Sequence, residues 1–126
     1  MNKQELLDRL EIAKERRTGP VNCLSLVLFT LGIEKVEIFH NPKKFRELSG
    51  RFKQVESLWR SDVIVLPNTS LGYHLMVKLE RDSSMIAHRP GYNTRVHVED
   101  FFTEVNNMEL DGVWVYPEKA EYYLLK

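Results

Sequence analysis

Cys23, His74 and His88 are the residues whose types and order could do covalent chemistry. Cys23 is the only cysteine, and it stands where Thr18-Gly19-Pro20-Val21-Asn22 gives way to the apolar run Leu24-Ser25-Leu26-Val27-Leu28-Phe29. A helix beginning there would aim unpaired backbone N–H groups and the positive end of its dipole at the sulfur, and both favour a thiolate. His74 and His88 follow in strand-like segments. In that order, Cys23 is the expected nucleophile and His74 the base that takes its proton and returns it to the leaving group. His88 would hold the tautomer and orientation of His74 through its far ring nitrogen. The Cys23 N–H would serve as one oxyanion donor.

The elements that must position these residues follow from periodicity. Leu6, Leu7, Leu10 and Ala13 make an amphipathic helix over 3–17, closed by Gly19-Pro20. A second helix over 22–31 is apolar nearly all round and therefore buried, with Asn22 as N-cap and Gly32 after its end. Glu34 to Phe39 reads as a short strand. Asn41-Pro42 opens a third helix with the stripe Phe45, Leu48, Phe52 and Val55. From Asp62 the period changes to two. Val63–Leu66 forms a buried strand ended by Pro67, and Tyr73–Leu79 alternates. A turn at Arg81-Asp82-Ser83 leads to a strand over Ser84–His88. Thr94–Val98 is another strand, Glu99–Val105 a helical turn, and Gly112–Tyr116 a last strand. Helices first and strands afterwards predict α+β, an antiparallel sheet packed on the buried cysteine helix. One domain over 1–126 is expected: the N-terminal helix in 1–18, the cysteine helix and third helix in 19–56, and the sheet in 61–117.

Hairpin geometry sets a condition. An odd number of residues in the loop between Leu79 and Met85 puts His74 and His88 on one face; an even number separates them.

Composition narrows the function class. The chain has 126 residues, with 18 basic balancing 18 acidic, so no net charge draws it to nucleic acid or an anionic membrane. A single cysteine excludes an internal disulfide and any multi-cysteine zinc site. Met1 to Leu10 alternates charge with leucine and lacks a signal-peptide core, and the apolar stretch from Val21 to Ile33 is too short to span a bilayer. A cytoplasmic location is expected, or delivery outside the cell by a non-classical route.

These pieces resemble the NlpC-type papain-like cysteine peptidases. The matching words are Asn22-Cys23-Leu24-Ser25, Ser61-Asp62-Val63-Ile64-Val65, His74-Leu75-Met76-Val77 and Met85-Ile86-Ala87-His88. Pro90, Gly91 and Val96 resemble the family's return strand, and the likeness covers about 19–102. It implies a papain-like fold and a thiol hydrolase, an amidase or peptidase acting on peptides, first among them bacterial cell-wall peptides. No cofactor is implied. The chain departs from the pattern at Leu24-Ser25, where the family has Ser-Gly, and at Met76, where it has glycine.

Two other readings stand beside this one. A catalytically silent interaction domain would keep the scaffold, and a lone cysteine in an apolar helix is often a core residue. Alternatively, Cys23, His74 and His88 would supply three ligands to a metal. His97 alternates with valines and is expected to face solvent, and His40 to lie in a loop. Trp59, Tyr73 and Tyr92 are candidates to line a groove, and Asp62 to start a strand.

Overall fold

A computed structural model describes residues 2–16, 20–70 and 72–126. Helix α1 (Lys3–Glu15) is capped by the Asn2 side chain, which accepts from the Glu5 N–H, and buries Leu6, Leu10 and Ala13. It ends at Glu15, earlier than expected; Gly19 lies outside the described residues.

Helix α2 (Cys23–Thr30) is buried at every position. Asn22 and Ser25 form a reciprocal capping box, each side chain accepting from the other's backbone N–H. At the far end Gly32 takes φ 75°, and the Ile33 and Gly32 N–H groups close onto Leu28 and Phe29. That is the left-handed ending glycine favours.

The expected strand at 34–39 does not form. Arg9 donates to the carbonyl of Glu34 and Arg16 to that of Glu37, so side chains satisfy carbonyls a neighbouring strand would have taken. The third helix is also corrected. A 3-10 helix covers Pro42–Arg51, and β1 (Phe52–Val55) follows because it finds a partner strand. Phe45 and Phe52 both still reach the core, their ring centroids 4.8 Å apart.

The sheet has six antiparallel strands in the order β1-β6-β2-β3-β4-β5. Strand β2 (Val63–Thr69) runs past Pro67, but its register with β3 (Gly72–Lys78) shifts between Leu66 and Thr69. Proline has no N–H for the ladder, which accounts for an irregularity there. Strand β4 (Met85–His88) pairs with β5 (His97–Asp100), which begins later than Thr94. Helix α3 (Phe101–Leu110) follows directly, capped by Asp100. Gly112–Tyr116 is not a strand. The last strand is β6 (Glu121–Leu125), which the sequence pattern did not reveal, and it inserts between β1 and β2. The sheet thus reaches beyond 61–117 at both ends.

Both faces of this α+β sheet are covered. Helices α1 and α2 pack on Val63, Val65, Leu75, Val77 and Ala87. Helix α3 packs through Phe101, Val105 and Met108 on Ile64, Leu66, Met76 and Ile86. Among the described residues, no helix is long and apolar enough to cross a membrane.

Candidate active site

Val77 faces Ala87 and Lys78 faces Ile86, so the β3–β4 loop is odd and His74 and His88 share a face. His74 Nε2 lies 2.7 Å from His88 Nδ1, with the rings nearly perpendicular at 75°. The face they share is the α3 face. Helix α2, with Cys23, packs on the opposite one, since alternation along β3 sends Leu75 and Val77 to α2 and His74 and Met76 to α3. The cysteine helix therefore does not pack on the histidine face.

The two sides meet at the N-terminal end of β3. A cavity of about 210 Å³ there is lined by Cys23 from the α2 side and His74 from the other. Tyr73, Arg89, Phe39 and Tyr92 contribute to the same wall, and the last two rings pack edge-on at 5.5 Å. Of the aromatic groove candidates, Tyr73 and Tyr92 are present, whereas Trp59 lies on the surface elsewhere.

Cys23 is 6% exposed. Burial pushes its thiol pKa up, opposed by the backbone N–H groups of Leu75, Leu24 and Cys23 itself. His74 is driven down to about 3, first by burial and then by the neighbouring His88. Both groups are therefore neutral at rest, and among the described residues no hydrogen bond joins them.

The relay continues beyond His88, which is fully buried. Its Nε2 lies 3.1 Å from Glu104 Oε1, within ion-pair reach but off the line of a straight hydrogen bond. His88 holds the Glu104 carboxyl down to about 2, against the cost of burial. Glu104 was not among the sequence candidates. Its signal was a carboxylate on the α3 stripe of Phe101, Val105 and Met108, where an apolar residue would serve packing alone.

A second buried polar group braces the other side. Arg89 binds Glu37 through two parallel contacts of 3.0 and 2.8 Å and donates to the carbonyls of Ala13 and Thr94. Glu37 also accepts from Ser25 of the capping box, so this pair ties the start of α2 to α1 and to the 89–94 loop.

His97 is exposed, its ring centroid 5.8 Å from that of His88, and His40 lies in a loop 2.7 Å from Glu34. Asp62 immediately precedes β2 and binds Arg81 and the Leu125 N–H. Cys23 and the two histidines do not form a ligand set. Among the described residues, no three His, Cys, Asp or Glu side chains are arranged to hold a metal ion. No family model, curated protein or solved structure matches this chain.

Proposed function

We propose that this protein is a papain-like thiol hydrolase of the NlpC type, acting on amide bonds through a cysteinyl acyl-enzyme. The observation that carries the reading is the 2.7 Å contact between His74 Nε2 and His88 Nδ1, beside a cavity that Cys23 also lines. With Nε2 committed to His88, Nδ1 is the His74 nitrogen left for a thiol proton.

Because both groups rest neutral, the pair works by general-base catalysis and not as a preformed ion pair. The Sγ–H proton passes to His74 Nδ1 as sulfur attacks the carbonyl carbon. The C–N bond then breaks and the amine leaves with that proton. Water attacks the resulting thioester, gives a proton to Nδ1, and releases the acid and the free thiol. Backbone N–H groups at the start of α2 are the candidates for the oxyanion.

The substrate class to try first is a peptide of the bacterial cell wall. Hydrolysis of stem peptides should vanish in Cys23→Ala; full activity in that variant would refute the reading. Iodoacetamide labelling of Cys23, followed from about pH 4 to about pH 9, should slow in His74→Ala. The raised thiol pKa and the burial of Cys23 favour a second reading, the catalytically silent interaction domain. Labelling slower than that of a free thiol and indifferent to His74 would support it.

A further inference from the structure

We propose that Glu104 is a positioning residue that sets the direction of the His74–His88 hydrogen bond, leaving a bare lone pair on His74 Nδ1 beside Cys23. An ionised carboxylate attracts N–H dipoles and repels bare lone pairs, so it favours the hydrogen of His88 on the facing nitrogen, Nε2, 3.1 Å away though not in line for a hydrogen bond. A hydrogen on Nε2 alone leaves His88 Nδ1 as an acceptor. The partner 2.7 Å away, His74 Nε2, must be the donor. By the same count the single hydrogen of neutral His74 is used, and Nδ1 is unprotonated. Glu104 thus acts through His88 on an atom at the other end of the relay.

The surroundings keep the charge where this needs it. Glu99, on β5, is the other carboxyl facing Glu104, and this proximity raises Glu99 while Glu104 is held low. Glu99 also accepts from Asn107 of α3 at 3.2 Å. His97 also favours the ionised form of Glu104. When His74 takes the thiol proton at Nδ1 it keeps its Nε2–H bond to His88, and the carboxylate behind His88 stabilises the imidazolium.

The catalytic use of this relay rests on the proposed hydrolase; the tautomer does not. Long-range proton–nitrogen correlation NMR of histidine-labelled wild-type protein at neutral pH reads all four nitrogens without substrate. Protons on Nε2 of both His74 and His88, with both Nδ1 atoms bare, is the expected pattern. A proton on His74 Nδ1, or two protons on His88, would overturn the proposal. In Glu104→Met both directions of the bond should become populated, and an unchanged pattern there would also overturn it. Because the wild-type reading decides by itself, a Glu104→Met protein that failed to fold would not rescue the idea. If the tautomers are as expected but Cys23 labelling ignores His74, the hydrolase reading fails alone. If labelling depends on His74 but the tautomers are reversed, only the relay fails.

Discussion

Two buried polar networks flank the cavity, and they are finished differently. On the α2 side, Arg89 spends its guanidinium on both Glu37 oxygens and on two backbone carbonyls, and Ser25 adds a bond to the same carboxylate. That network is closed, with its ends in the scaffold. On the α3 side, Glu104, His88 and His74 form a line that stops at a ring nitrogen with no bond among the described residues, at the cavity. Burying polar groups is costly unless they are paired, so a closed network can be explained by architecture. An open one is what the proposed thiol chemistry would use.

The comparison breaks hardest at the closed network. Arg89→Leu should cost about 3–5 kcal/mol, because it strands the Glu37 carboxylate in the interior. Urea unfolding would measure this; a loss under about 1 kcal/mol would mean that Glu37 reaches water or a new partner.

Breaking the open network should cost less. Glu104→Met removes the carboxylate that faces His88 Nε2 at 3.1 Å, a loss of about 1–3 kcal/mol by the same assay. A loss as large as that of Arg89→Leu would show that both networks are structural.

Acid sharpens the contrast, because His74 is held neutral in the fold. Its folded pKa, about 3, lies below the ordinary value of 6.5, so between them the unfolded chain binds more protons. Stability should therefore fall as pH drops through that window, and rise again as pH is restored. Urea midpoints taken at both ends of the window should differ less in His74→Gln than in wild type; equal differences would mean that another group governs the slope.

Asn22→Ala should cost about 1 kcal/mol by removing the cap of α2. A much larger loss would mean that the capping box and the Arg89 network are strongly coupled through Ser25. The smallest stability effect belongs to Cys23→Ala, about 1 kcal/mol or less, against complete loss of the proposed hydrolysis. A large destabilisation without any thiol-dependent reaction would make Cys23 a packing residue.

What was legible in the sequence was local. The cap, apolar run and terminal glycine of α2 lie within a few residues of each other, and so does the alternation of β3. Segment 34–39 was misread because its backbone partners, Arg9 and Arg16, come from a helix far back in the chain. β1 and β6 stabilise each other as a pair, so neither segment announced its state alone. Glu104 was missed because a carboxylate on a helix stripe acquires meaning only when a histidine from another strand faces it.

By itself the sequence determined the buried helix headed by Cys23, the strand bearing His74, and an α+β composition, because capping and periodicity are short-range physics. The tertiary structure decided that β6 lies inside the sheet and that the loop between β3 and β4 is odd. It also decided that Cys23 and His74 approach the cavity from opposite faces. Register and packing are set by contacts between distant segments, and no single window of the chain contains both sides of such a contact.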